Sequence, residues 1–154
     1  MDELNISDIE KKAIELFKSG YICAEAVSKA VLSYMDYDSE TICGVATGFG
    51  GGISRQGQVC GALSGGIISI GAVVNKGFRK PEQIEIKNQV YEKVQTLYKK
   101  FESNFGSVIC KNLTNCDLTK ESGRKKFSEN NVEEKVCNKL VGWTTLETIK
   151  LLHE

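Results

Sequence analysis

Between Arg55 and Lys76 lie twenty residues without a charge. A run of that length is too long for an ordinary strand, but long enough to cross a bilayer or to be buried whole as a helix. Its polar content decides between the last two. Gln56, Gln58, Ser64, Ser69 and Asn75 are spread along it together with five glycines, which lowers its hydropathy below that of a spanning helix. Leu63, Ile67, Ile70 and Val74 recur at helical spacing. Gly61 and Gly65 stand four apart, on one face, where the missing side chains let another backbone come close. The expected fold is therefore all-α, a compact bundle of about five to six helices around this buried, Gly-rich central helix. It forms a single domain over residues 1–154, with no membrane association.

The flanking sequence supplies the other helices. Ser7 and Glu10 have the spacing of a capping box, ahead of a stripe made by Ile9, Ala13, Leu16 and Phe17, and Gly20 ends that helix. A second helix is expected from Cys23 to Met35. A third, short one, capped by Asp38 or Ser39, runs through Cys43 to Thr47. Gly48-Phe49-Gly50-Gly51-Gly52 then interrupts, since a helix interior tolerates such a run poorly. Pro81 suits the first position of a long amphipathic helix through Val90, Val94, Leu97 and Phe101 to Gly106. A short helical turn is expected over residues 107–113, and over 114–131 a long, polar, mobile loop with room for one helical turn. A last helix, from Val132, carries Cys137 and Trp143.

Twenty basic and twenty acidic side chains cancel, which argues against non-specific binding to nucleic acid. The N-terminal residues MDELNISDIEKKAIELF lack the basic and then apolar pattern of a secretory signal, so a cytoplasmic location is expected. In a reducing compartment, cysteines are more often free, metal-bound or catalytic than paired in structural disulfides.

The six cysteines are Cys23, Cys43, Cys60, Cys110, Cys116 and Cys137, and no two form a Cys-x-x-Cys pair. Any metal site must therefore be assembled by folding. Cys23 and Cys60 open helices, and Cys137 lies in the first turns of another. At a helix N-terminus the dipole and the free N–H groups favour the thiolate, which predicts lowered pKa values there. Before Cys60, the glycines Gly50, Gly51 and Gly52 offer N–H groups that can surround an anionic cofactor, and Arg55 can offset its charge. No Gly-Lys-Ser/Thr follows, so this is not a phosphate-binding P-loop.

Several segments in order carry a resemblance. They are Ile22-Cys23-Ala24-Glu25-Ala26-Val27, Gly48-Phe49-Gly50-Gly51-Gly52, Cys60-Gly61-Ala62-Leu63-Ser64-Gly65, Phe105-Gly106-Ser107 leading to Cys110, Cys116-Asp117-Leu118-Thr119, and Cys137. From about residue 8 to 152 the chain resembles the C-GCAxxG-C-C family of redox-active proteins, with the central motif here in the form Cys-Gly-Ala-x-x-Gly. The resemblance implies that the signature cysteines are Cys23, Cys60, Cys110 and Cys137, with Cys116 at a commonly seen extra position and Cys43 outside the set. It extends to the non-haem part of split-Soret cytochromes, which implies an iron–sulfur site. No Cys-x-x-Cys-His is present, so covalent haem is not expected.

Three functions follow as expectations. One is an iron–sulfur protein for electron transfer or redox sensing, with Cys116 able to replace one of the four ligands and with an unidentified redox partner. Another is a thiol–disulfide protein in which Cys60 attacks and a second cysteine resolves. The third is a structural zinc-binding helical module. The Gly-spaced helix also suits a homodimer interface.

Overall fold

The computed structural model describes residues 5–37 and 40–154, and the proposed caps Asp38 and Ser39 lie outside them. Eight α-helices form among the described residues: α1 (Ile6–Lys18), α2 (Cys23–Tyr34), α3 (Glu40–Ala46), α4 (Gly61–Asn75), α5 (Ile84–Phe105), α6 (Cys110–Thr114), α7 (Glu121–Glu129) and α8 (Asn138–His153). A 3-10 turn (Thr47–Phe49) and a tight turn (Gly50–Ile53) precede α4, and a π-helical turn (Glu133–Cys137) leads into α8. The described residues contain no β-strand, only an isolated antiparallel bridge between Val59 and Ile109.

The uncharged segment forms α4, which packs against α2, α5 and α8. Its glycines set those distances. A Cβ on Gly65 would stand 2.6 Å from the Ala24 carbonyl oxygen in α2. One on Gly66 would stand 2.7 Å from Thr148 Oγ1 and 2.9 Å from Leu97 Cδ2, on α8 and α5. Hydrogen at these positions lets three helices approach α4 closely. Leu63 and Ile70 fill the remaining space and are fully buried, each contributing about 1.5–3 kcal/mol by leaving water.

The outer helices keep one face dry. Ile9, Ala13 and Phe17 are the buried stripe of α1, which lies on α2 and α8. On α5 only Leu97 and Phe101 are fully covered. Phe101, Phe105 and Trp143 form an aromatic cluster with ring centroids 4.9, 5.2 and 5.8 Å apart, in the tilted and edge-on arrangements that ring quadrupoles favour.

Several boundaries differ from those expected. Helix α1 begins at Ile6 with Asn5 at its N-cap, so Ser7 lies inside the first turn and makes no cap. Pro81 lies in a turn ahead of α5. There Gln83 Oε1 accepts the Lys80 N–H at 2.7 Å, and the helix starts only at Ile84. The stretch 114–131, expected as a mobile loop, holds α7, which with α6 raises the helix count above five to six. An apolar stripe is nearly absent from α7, and it is held by other means. Gly123 lies so close to Asp117 that a Cβ would collide with the Asp117 carbonyl, and Arg124 and Lys126 donate to the Leu118 and Asn115 carbonyls. Among the described residues no helix is long and apolar enough to cross a membrane.

The glycine contacts make a paired prediction. Gly65→Ala forces its methyl group onto the α2 backbone and should cost about 1–3 kcal/mol. Gly71 has nothing within 4 Å of a Cβ, so Gly71→Ala should stabilise by up to about 1 kcal/mol through helix propensity. Urea unfolding of the two variants reads both signs.

A cysteine-lined cavity as the candidate site

Two chain segments far apart in sequence are clamped side by side. Cys60 N–H donates to the Val108 carbonyl at 2.8 Å, Cys110 N–H to the Gln58 carbonyl at 2.7 Å, and Lys111 N–H to the Gly57 carbonyl at 3.1 Å. This clamp puts Cys60, the N-cap of α4, next to Cys110, the first residue of α6. Cys23 opens α2 and meets the start of α4 where Gly61 lacks a side chain; a Cβ there would collide with the Cys23 sulfur. Cys137 arrives from the other side, at the end of the π-helical turn.

Cys23, Cys60, Cys110 and Cys137 line one cavity of about 680 Å³. Cys60 and Cys110 are only 5% and 8% exposed. Each of the four shares an electrostatic interaction with others of the set, and Cys137 is raised by all three. Among the described residues no three Cys, His, Asp or Glu side chains already stand in metal-ligating geometry. A group bridging the sulfurs would therefore draw them further together.

The other candidates divide. Gly50, Gly51 and Arg55 line the cavity. Gly52 stands just behind it, where a Cβ would be 2.7 Å from Cys110 Cβ and 2.6 Å from Gln58 N. Cys116 is 1% exposed and packs with Cys110, Leu118 and Val132 in a small separate core, off the cavity wall. Cys43 is half-buried against α2, its thiol donating to the Glu25 carbonyl at 3.5 Å. His153 is also remote, edge-on to Tyr34. Arg124, Thr114 and Glu133 were not singled out by the sequence and do line the cavity. They come from the stretch expected as loop and from the π-helical turn, where no motif marked them.

The expectation of low thiol pKa values is overturned. Burial pushes Cys23 up, although the N–H groups of Gly51 and Ala24 favour its thiolate. Burial, then the neighbouring Cys23, push Cys60 up to about 12 against the N–H groups of Leu63 and Ala62. Cys110 rises to about 11 for the same reasons, opposed by the Thr114 hydroxyl. Cys137 is pushed up by burial and then by the other three sulfurs. The helix N-termini act in the expected direction, but withdrawal from water outweighs them.

The glycine loop also differs from the open nest expected. Gly51, Gly52, Ile53, Ser54 and Arg55 all have left-handed φ, between 48° and 68°. Three of these residues carry side chains, which costs roughly 1–2 kcal/mol each. The N–H groups of Arg55, Gln56, Gly57 and Gln58 close on the carbonyls of Gly50, Ile53, Gly51 and Gly52, and Ser54 Oγ donates to the Gly48 carbonyl at 2.9 Å. Most of the loop's donors are therefore used internally, and Gly51 N–H is directed to the Cys23 sulfur.

The donor set suits a bridging cation or cluster. Four thiols share one cavity, backbone N–H groups are aimed at two of them, and burial opposes their ionisation in the absence of positive charge.

Residues 21–151 match the family described as "Putative redox-active protein (C_GCAxxG_C_C)". An uncharacterized protein of Archaeoglobus fulgidus is 33% identical over 126 residues, which cover 78% of this chain and 83% of the relative. No solved structure matches the chain. Since the match covers most of the chain and takes in all four cavity cysteines, from Cys23 to Cys137, the chain belongs to the C_GCAxxG_C_C family of redox-active proteins.

Proposed function

We propose that Cys23, Cys60, Cys110 and Cys137 hold an iron–sulfur cluster and that the protein transfers or senses electrons through it. The observation that carries this reading is the convergence of these four thiols, and neither Cys43 nor Cys116, on one cavity. A bound cluster would supply one-electron chemistry at a potential tuned by hydrogen bonds to sulfur and by solvent exclusion. The chain's own residues provide both. Gly51 and Ala24 direct N–H groups to Cys23, and Ala62 and Leu63 do so to Cys60. Phe17, Leu113, Leu118, Phe127 and Leu140 make the apolar part of the wall. Gly61 leaves room for the Cys23 sulfur beside Cys60.

A thiol–disulfide mechanism through Cys60 is less well supported. It needs an attacking thiolate near the working pH, and Cys60 is pushed up to about 12. Zinc would use the same sulfurs.

Protein purified without oxygen should be brown, with visible absorbance and both iron and acid-labile sulfide bound. Serine at Cys23, Cys60, Cys110 or Cys137 should lower iron several-fold, whereas Cys43→Ser should not. A colourless, iron-free anaerobic preparation overturns the cluster reading, and stoichiometric zinc in it would favour the structural alternative.

The buried thiols also predict a pH dependence for metal-free protein. The folded value of Cys60, about 12, lies above the ordinary 9.0, so the folded state holds this proton more tightly. The resulting stabilisation is complete below about pH 9 and is lost as the pH rises toward about 12. Urea midpoints of metal-free protein should therefore fall between pH 9 and 11, by no more than about 1.4 kcal/mol per pH unit for this thiol. Iron-loaded protein should show a much smaller fall.

A further inference from the structure

Two guanidinium groups share the cavity with the cysteines. Arg55 ends the left-handed turn and Arg124 lies in α7, and both line the cavity while remaining exposed to solvent. Cys60 and Cys110 are the buried floor of the same space. Acidic and basic residues are equal in number in this chain, yet among the described residues the ion pairs are all made by lysines, and neither arginine has a carboxylate within reach.

Arg124 is anchored by its side chain and Arg55 by its backbone. Arg124 Nη1 donates to the Leu118 carbonyl at 2.9 Å, which fixes the guanidinium and leaves its other N–H groups free. The backbone of Arg55 is held by its N–H bond to the Gly50 carbonyl, and its Cγ lies 3.2 Å from where a Cβ on Gly51 would stand. The stem thus lies over a glycine that has room for it. Arg55 Cγ and Leu118 Cδ1 lie 3.2 and 3.5 Å from one point, the place of a Cβ on Gly51, and the Leu118 carbonyl takes the Arg124 bond, so both arginines adjoin Leu118; Glu133, also on the wall, acts on Cys137.

We infer that Arg55 and Arg124 form a subsite that binds a small oxyanion at the mouth of the cysteine cavity. The planar forks of two guanidinium groups match the oxygens of a carboxylate or of a tetrahedral oxyanion. The binding does not depend on the redox reading of the cysteines.

The test is calorimetric titration with sulfate and, separately, with acetate, at constant ionic strength. It is run on iron-free and iron-loaded protein, and on Arg55→Gln, Arg124→Gln and Arg79→Gln as a cationic control away from the cavity. Saturable binding of at least one probe is expected, weakened about tenfold or more in each of the first two variants and unchanged in the control, with iron content equal in all. Absence of saturable binding in both forms of the protein, or wild-type affinity in the two cavity variants, overturns the subsite. Loss of iron from those variants without anion binding by the iron-free wild type also overturns it, because the arginines would then serve the metal. Colourless protein that binds sulfate through Arg55 supports the subsite while sinking the cluster reading. Brown protein that binds neither probe does the reverse.

Discussion

The contact between α2 and α4 sets the geometry on which the rest of the molecule depends. Gly61 and Gly65 bring the two backbones together where any side chain would meet Cys23 or the Ala24 carbonyl. The same contact forms the centre of the core and fixes two of the four cavity cysteines. A helix rich in glycine is intrinsically weak, so α4 relies on its neighbours, and α2, α5 and α8 surround it. Packing and site are therefore one problem here: loosening the α2–α4 approach would also separate Cys23 from Cys60.

Electrostatics bears on the state of the cavity thiols. Burial raises the pKa values of all four, neighbouring sulfurs add to the rise for Cys60, Cys110 and Cys137, and the N–H groups aimed at Cys23 and Cys60 only partly compensate. Without added positive charge the thiols stay protonated. With it, the N–H groups at the starts of α2 and α4 are already in position to support thiolates. A set of structural cysteines filling a core would have no need of such donors.

Much of the helix pattern was legible in the sequence because apolar residues recur at helical spacing in α1, α4 and α5. What escaped was held by signals that periodicity does not carry. Helix α7 rests on a glycine contact and on two long side chains reaching backbone carbonyls. The left-handed turn includes Ile53, a β-branched residue that local preference would place elsewhere. The placement of Cys23, Cys60 and Cys137 at helix starts was readable, and the resemblance added Cys110. The sign of the thiol shifts was not, because burial is a property of the folded whole and outweighed the local dipole. Arg124 and Glu133 were missed for a similar reason, since only folding brings α7 and the π-helical turn to the cavity.

The clamp between residues 57–60 and 108–111 has a consequence for how the site comes into being. Its hydrogen bonds close the long loop that contains the whole of α4 and α5, and loop closure is favourable only once the intervening helices have packed. Cys60 and Cys110 therefore become neighbours late in folding. A centre held as proposed would then be acquired only by molecules that have completed the fold.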